Sequence, residues 1–502
     1  MSILKKLAGD AVLYGLPSIV GRLLFWLLGS LHTRVFTAQE TLTENGQLYV
    51  WLVPLQIIFT FGMETAFFRY GSKKENQKEA FNSILSFVLV LGFILCGLLV
   101  IFAKQLSGLL DLNGAENMIR LLAIILWVDA VTAIAFVKIR ANNKAKKFAT
   151  IKMASIILTI ALNLFYLVFC QLVSTQGFMP GMLGFVNTIY NSANGPDYII
   201  WANYVASVLT LIMLAKEYTS FRFKWDWQDL KPKIQYAYPL MIMGLAGAIN
   251  LTADRLLIRD FLPTNFYPEF KNTDQAFSVY AQVYKLSIFM TLIVQAYRYA
   301  ADPLFFSKMG NKNSPDLMAF STEWFTIACI VLWVGVSINL PWIQLFLGEN
   351  YRAVMYIVPI LLLANLFIGL YGNVSIWFKL TDKTRFGSYI TFIAMALTVL
   401  LNIVFIPKFG FLACAITFVI SSFGMVAAAY FLGQKHYKVN YDVKSLGAYL
   451  IGAGLIIFVL FPLKGGNFWL ELVFKNAVFG LFVAIILWHQ FKIKKVNFRQ
   501  KF

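Results

Sequence analysis

The feature that most constrains this chain is a series of apolar segments, each long enough to cross a hydrocarbon core, separated by loops alternately rich and poor in lysine and arginine. They fall at about 10 to 36, 47 to 70, 80 to 103, 117 to 138, 148 to 172, 197 to 216, 233 to 259, 276 to 300, 319 to 339, 353 to 378, 386 to 406, 410 to 433, 446 to 463 and 468 to 491. A transmembrane helix needs about 20 mostly apolar residues, so about fourteen helices are predicted. Charged residues make up 13% of the chain, about half the share usual in soluble domains, which excludes an ordinary soluble fold. The fold class is therefore an all-α polytopic membrane protein.

The formal net charge of +19 does not point to nucleic acid, because the basic residues follow the membrane. One set of alternate loops holds Lys73, Lys74 and Lys78, then Lys138, Arg140, Lys144, Lys146 and Lys147, then Lys216, Arg222, Lys224, Lys231 and Lys233. The same side continues with Lys308 and Lys312, with Lys379, Lys383 and Arg385, with Lys435, Lys438 and Lys444, and with the tail Lys492, Lys494, Lys495, Arg499 and Lys501. The opposite side has far fewer, chiefly Arg34, Lys104, Lys271, Arg352, Lys408 and Lys464. This bias predicts that both termini are cytoplasmic. The opening Met1 to Lys6 runs into a long helix without a small-residue cleavage site, which reads as a retained first span.

Cys96, Cys170, Cys329 and Cys414 each sit inside an apolar run, where a thiol behaves as a small hydrophobe. His32, His436 and His489 are far apart in sequence, so neither a disulfide framework nor a histidine metal or nucleophile site is expected. The outer stretch 173 to 196 lacks Lys, Arg, Asp and Glu, and reads as a cap or lid. The inner stretch from Lys216 to Lys233, with Trp225 and Trp227, reads as an interfacial linker between two halves.

Two matched pairs of residues suggest those halves. The first helix carries Tyr14-Gly15-Leu16-Pro17 and ends in Thr33-Arg34; the seventh carries Tyr236-Ala237-Tyr238-Pro239, followed by Asp254-Arg255. The fifth holds Leu162-Asn163 and the eleventh Leu401-Asn402. The members of each pair stand six spans apart, an even offset, so the halves are expected to be parallel repeats. The domains predicted are an N-terminal lobe at 1–222, a C-terminal lobe at 223–440, and an extra helix pair with a basic tail at 441–502.

Charges inside the spans mark the candidate site, since each costs roughly 2.5–3.5 kcal/mol at the bilayer centre and usually faces a bundle interior or a watery cavity. Arg22, Asp129 and Lys285 lie well inside their segments. Gly15, Arg22 and Gly29 recur on one face of a first helix kinked at Pro17, and Gln56, Thr60 and Glu64 form a polar stripe on a single second helix from Gln47 to Tyr70. Arg34, Arg69, Arg259 and Arg298 lie near helix ends, where a long side chain can instead reach lipid headgroups. Asp254 and Arg255 are adjacent and so point about 100° apart, which does not favour a mutual pair.

Gly15-Leu-Pro-Ser-Ile-Val-Gly-Arg22, Gly62-Met-Glu-Thr-Ala-Phe-Phe-Arg69 and Leu401-Asn-Ile-Val-Phe-Ile-Pro407-Lys-Phe-Gly410 resemble the Wzx-type polysaccharide-biosynthesis flippases of the multidrug, oligosaccharidyl-lipid and polysaccharide exporter superfamily. After the Pro-x-x-Gly turn this chain continues Phe411-Leu-Ala-Cys-Ala415, where many relatives have Gly-Ala-Ala. The resemblance implies two parallel six-helix lobes around a central cavity, a C-terminal helix pair like the lipid-tail groove of lipid II flippases, and a bacterial inner membrane location. It implies a flippase, not an enzyme, that moves a polyprenyl-pyrophosphate-linked oligosaccharide by alternating access, with a polysaccharide polymerase or export machinery as partner.

For such a cargo Arg22 and Arg255 form the expected pyrophosphate clamp, with Lys285, Arg34, Arg69 and Arg298 as further cavity cations. Gln56, Thr60, Asn250, Tyr280, Gln282 and Tyr284 are the glycan-contact candidates. Glu64, Asp129 and Asp254 are the groups able to couple transport to H+ or Na+; no other cofactor is expected. The alternatives are a lipid II flippase, a cation-coupled small-molecule exporter of the same superfamily, or a membrane-embedded glycosyltransferase or polymerase. No phosphate-cradling Gly-rich loop ending in Lys-Ser or Lys-Thr is present to suggest ATP drive. If Glu64 couples transport to protons, Glu64→Gln abolishes the pH dependence of transport; a variant whose transport keeps its pH profile removes Glu64 from that role.

Overall fold

A computed structural model describes residues 3–36, 42–71, 74–112, 114–191, 194–307, 314–381, 383, 385–463 and 468–493. The basic tail from residue 494 onward and the loop residues Lys73, Lys308, Lys312 and Lys464 lie outside them. Among the described residues all regular structure is helical. The chain is a multi-pass helical membrane protein made of two compact units, Met1–Ala281 and Gln282–Phe502.

The first unit contains α1 (Ile3–Val35), α2 (Thr43–Thr60), α3 (Met63–Tyr70), α4 (Lys74–Ile101), α5 (Ala103–Leu109), α6 (Glu116–Ala141) and α7 (Ala145–Leu164), then α8 (Gln171–Gln176), α9 (Leu183–Ile189), α10 (Asp197–Met213), α11 (Ala215–Tyr218) and α12 (Trp227–Phe261). The division between the units runs through α13 (Thr273–Tyr284). The second unit continues with α14 (Ile288–Ser307), α15 (Ser314–Ile338), α16 (Leu340–Ile343), α17 (Val358–Val374), α18 (Trp377–Leu380), α19 (Arg385–Phe409), α20 (Phe411–His436), α21 (Val443–Leu460) and α22 (Phe468–Trp488).

Twelve helices among the described residues are long and apolar enough to cross a membrane. The remaining two of the fourteen predicted segments are α1 and α10. Both are helical without belonging to those twelve, α10 because it has 17 residues. The expected lobe boundary at 222/223 does not coincide with the division into units, because α12 packs on α2, α3 and α4. The linker ahead of α12 is strapped to α4. The backbone N–H of Arg222 donates to Asn82 at 3.1 Å and that of Lys224 to Ser86 at 2.9 Å, and Trp225 stacks on Phe87. Phe223, Trp225 and Trp227 remain exposed, as suits a segment at a membrane surface.

Small residues set the helix spacing. A Cβ on Gly433 of α20 would stand 2.9 Å from the Trp377 indole nitrogen, whose N–H donates to the Ala429 carbonyl at 3.1 Å. Such contacts let helices approach where lipid offers no hydrophobic drive to pack them. The C-terminal pair belongs to the second unit and packs on α15. Asn339 and Asn476 exchange hydrogen bonds of 3.1 and 3.0 Å at one end, and Gln490 donates to Glu323 at 2.6 Å at the other.

In the stretch 173 to 196, read as a cap or lid, α8 extends to Gln176 and α9 follows, seating Val186 and Tyr190 in a cluster with Cys170 and Val173 while Phe185 and Ile189 stay exposed. One expectation is corrected. The second predicted helix is broken. Phe61 and Gly62 take left-handed backbone angles, φ 53° and 70°, between α2 and α3. At Gly62 the backbone of α12 is so near that an added Cβ would stand 2.9 Å from the Ala237 carbonyl oxygen. Gly62→Ala therefore combines left-handed strain with a backbone clash and should lower stability by at least about 1 kcal/mol. Gly97→Ala, whose Cβ meets no atom within 4 Å, should leave the melting temperature of the purified protein nearly unchanged.

Candidate functional site

Five helices of the first unit turn polar residues toward one another. On α7, Lys152, Ser155, Thr159 and Asn163 stand three or four residues apart, so they share one face. On α10, Asn203, Ser207 and Thr210 do the same, and α6 contributes Asp129 and Thr132. Together with Ser18, Gly21 and Arg22 of α1 and Gln56 of α2, all of these except Asn163 line a cavity of about 460 Å³. A second cavity, of about 110 Å³, lies among Leu48, Tyr49, Leu52, Leu122, Ile125 and Ile200. Asp129, Asn203 and Ser207 belong to both walls.

The local hydrogen bonds fix these side chains. Ser207 donates to the Asp129 carboxylate, Thr210 to Ser155 at 2.8 Å, and Asn203 to the Tyr49 hydroxyl oxygen. Asn163 donates to the Thr159 carbonyl at 2.8 Å, and its Oδ1 lies 3.1 Å from His32 Nε2. The Gln56 Oε1 is buried and has no partner among protein atoms, leaving an acceptor beside the cavity. A Cβ on Gly21 would come within 2.8 Å of Ile156 Cδ1, so the glycine keeps α1 close against α7.

The larger cavity carries two cations and one carboxylate. Arg22 and Lys152 line the larger cavity with Asp129. Among the described residues Lys152 makes no hydrogen bond or ion pair; its Nζ lies 5.3 Å from the Phe136 ring centroid. Its positive charge acts on both Asp129 and Glu64, and that of Arg140 also acts on Glu64.

Of the residues singled out from the sequence, this cavity brings together Arg22, Gln56 and Asp129. Thr60 does not line it, and its hydroxyl returns to the Gln56 carbonyl at 2.9 Å. Glu64 lies beyond the helix break, so the stripe expected along one continuous helix is interrupted. Arg69 lies with its guanidinium 4.3 Å from the centroid of the Tyr236 ring, and Arg34 is exposed at the end of α1.

Asp254, Arg255 and Tyr280 form a separate cluster. Tyr280 donates to Asp254 Oδ2 at 2.6 Å, and Asn250 is buried one turn away. Contrary to expectation, the adjacent Asp254 and Arg255 do pair, at 3.4 Å, because the arginine folds back and donates to the Leu251 carbonyl at 2.6 Å. Arg255 does not line the cavity that holds Arg22. In the second unit Lys285 donates to the buried Gln282 at 2.7 Å, where α13 gives way to a 3-10 turn at Lys285–Ser287. Tyr284 is half-buried, and Arg298 is exposed at the end of its span. Arg259, read as an end residue, bonds Asp274 at 2.7 Å and the Leu110 carbonyl at 2.9 Å.

Lys152 is the residue that sequence reasoning missed. It follows the basic cluster Lys144, Lys146 and Lys147 and passes for part of it. The signal was the polar row that runs from it along one face of α7.

The site is a polar cavity walled by apolar helices, and comparison with known proteins bears on the fold that holds it. Residues 49–175 match the family model described as "Polysaccharide biosynthesis protein", a stretch that includes Gln56, Glu64, Asp129 and Lys152. The solved structure of the lipid II flippase MurJ in an inward closed conformation superposes with a TM-score of 0.73 at 15% identity, covering 97% of this chain and 100% of that one. An inward-facing multidrug resistance MATE family transporter of the MOP superfamily gives 0.58 at 13% identity over 88% and 98% of the two chains. A MATE structure in complex with MaL6 gives 0.58 at 13% identity over 89% and 99%. Comparison with curated protein sequences returned no match. The chain has the fold of these flippases and transporters, as the resemblance led one to expect.

Ala133 lines the larger cavity without joining its hydrogen bonds. If cargo occupies that space, Ala133→Phe should reduce transport at least about tenfold, equivalent to about 1.4 kcal/mol, while the purified protein melts within a few degrees of wild type. Undiminished transport in this variant would place the pathway elsewhere.

Proposed function

We propose that the protein is a flippase for a polyprenyl-pyrophosphate-linked oligosaccharide, a repeat unit of a surface polysaccharide, in the bacterial inner membrane. The observation that carries the reading is the pair of cations, Arg22 and Lys152, on the wall of a cavity inside an otherwise apolar helical unit. A pyrophosphate headgroup is multiply anionic and cannot cross hydrocarbon unaided, so it needs a wet, positive passage. Arginine presents a planar fork that matches phosphate oxygens, and lysine adds a mobile point charge. Gln56, Asn203, Ser155 and Thr159 offer hydrogen-bonding groups at the same wall. The match of residues 49–175 to a polysaccharide-biosynthesis family supports a glycan cargo.

Transport on this reading is a conformational cycle in which the headgroup enters the cavity while its lipid tail stays in the bilayer. The termini face the cytoplasm, with the basic loops on that side. Partners are the lipid-linked glycan, the bilayer, and a polymerase or export machinery that consumes the flipped unit. Arg255, Lys285, Arg34, Arg69 and Arg298 remain proposed cation contacts along the path, and Asn250, Tyr280, Gln282 and Tyr284 proposed glycan contacts. A second reading, a lipid II flippase, draws on the superposition with MurJ and keeps the same cavity chemistry.

Mass spectrometry of membrane lipids from cells depleted of the protein tests both. A polyprenyl-pyrophosphate oligosaccharide should accumulate at least about tenfold, clear on complementation with wild type, and persist with Arg22→Ala. Accumulation of lipid II would instead assign the protein to peptidoglycan synthesis. No change in any lipid-linked sugar would overturn the flippase reading.

A further inference from the structure

The two cavities of the first unit meet at one carboxylate. The larger holds Arg22 and Lys152, and its lining extends to Phe136 and Thr210, in the halves of α6 and α10 that lead toward the basic loops. The smaller is lined by Leu48, Leu122 and Ile200, near the opposite ends of α2, α6 and α10. Asp129, with Asn203 and Ser207, is the wall they share. At about 110 Å³ the smaller chamber has room for several water molecules, and Tyr49, Asn203 and Ser207 give them polar partners.

From this geometry we propose that Asp129 is a proton-binding site reached from both chambers, and that taking up a proton there strengthens the binding of an anion at Arg22 and Lys152. The inference rests on the reading of the larger cavity as an anion site. An ionised Asp129 places a negative charge on the wall of a cavity that must receive an anion, and its field occupies the ammonium of Lys152. Adding a proton to a carboxylate oxygen of Asp129 removes the repulsion and leaves Lys152 to the incoming anion. No other bond is made or broken, and the proton comes from water in either chamber.

The groups that face Asp129 are few. Lys152 comes from α7, Arg22 from α1, Ser207 and Asn203 from α10, and Tyr49 and Gln56 from α2. Glu64 of α3 shares the field of Lys152. The charged residues of α4, α5 and α11, namely Lys74, Glu75, Lys78, Glu79, Lys104, Lys216 and Glu217, lie in the first two turns of those helices, the last two residues just beyond the far end of α10. Glu217 is engaged with Lys138 and Lys147. By linkage the effect is reciprocal: a proton favours the anion, and the anion favours the proton.

The test uses the full chain in lipid nanodiscs with sulfate as probe, since sulfate stays fully ionised between about pH 5 and 8, where the shifted carboxylates of proteins titrate. Sulfate affinity should weaken as pH rises, by up to about tenfold per pH unit through the titration of Asp129, and sulfate addition should draw protons from a weakly buffered solution. Asp129→Asn should bind sulfate with the low-pH affinity at every pH and take up no protons, and Asp129→Glu should restore the pH dependence. Arg22→Gln and Lys152→Gln should each weaken binding at least about tenfold.

Sulfate binding that depends on pH equally in wild type and Asp129→Asn, or that follows sodium concentration and not pH, overturns the proton assignment and leaves the anion cavity standing. No sulfate binding at any pH, in wild type and in every variant, overturns both.

Discussion

A cation on the wall of a cavity in an apolar helical unit needs water, a counter-charge or a ligand, and Lys152 stands exposed in that position. Each charge at the bilayer centre costs roughly 2.5–3.5 kcal/mol on insertion scales, so Arg22, Lys152, Glu64 and Asp129 together would be prohibitive if they faced lipid. Direct pairing is the usual remedy, yet Lys152 forms no ion pair among the described residues. Lys152 instead lines a cavity with hydroxyls and amides from α6, α7 and α10 that bond one another, and the Gln56 oxygen remains unmatched by any protein donor. A cavity built in this way keeps its electrostatic potential available for something that enters it.

That space exists because the helices around it pack where small residues allow and diverge where polar ones accumulate. Gly21 brings α1 against Ile156 of α7, which fixes the angle from which Arg22 meets the row of Lys152, Ser155 and Thr159. On the other side of α6, Ala115, Ala123 and Ala130 are fully buried in the core shared with α4. The same helix therefore presents a close-packed alanine face to its neighbour and Asp129 and Thr132 to the cavity. The break at Phe61 and Gly62 belongs to this economy of contact, since it is where the α12 backbone leaves no space for a side chain.

Much of this was legible in the sequence, for a definite reason. Arg22, Gln56 and Asp129 stand out because each is polar within a long apolar run, and burial in hydrocarbon makes such residues conspicuous. Lys152 was hidden by position: a lysine after a basic loop has an ordinary explanation at the membrane surface. The break in the second span was hidden by periodicity, because Gln56, Thr60 and Glu64 keep a helical spacing through residues whose backbone is not helical. Only the approach of a helix more than 170 residues away in sequence, at Ala237, makes the left-handed turn necessary. The pairing of Asp254 with Arg255 was misjudged because ideal helix angles ignore the ability of arginine to fold back along its own helix.

The repeat read from Asn163 and Asn402 sharpens what is particular to the first unit. Both asparagines are buried and donate to the carbonyl of a threonine one turn earlier, Thr159 at 2.8 Å and Thr398 at 2.9 Å. Asn365 and Asn476 make the same bond to the carbonyl one turn earlier, so it is a habit of asparagine within helices and not a mark of repetition. Carried back along that register, the two helices part company. Ser155 corresponds to Ala394, and Lys152 to Thr391, whose hydroxyl bonds the Gly387 carbonyl of its own helix. The Thr391 hydroxyl is met within the protein, by that carbonyl and by Tyr371, whereas the Lys152 ammonium makes no hydrogen bond or ion pair among the described residues. At these matched positions one helix carries a hydroxyl bonded within the protein and the other a charge on the wall of a cavity, so the chemistry proposed for Lys152 has no counterpart at Thr391.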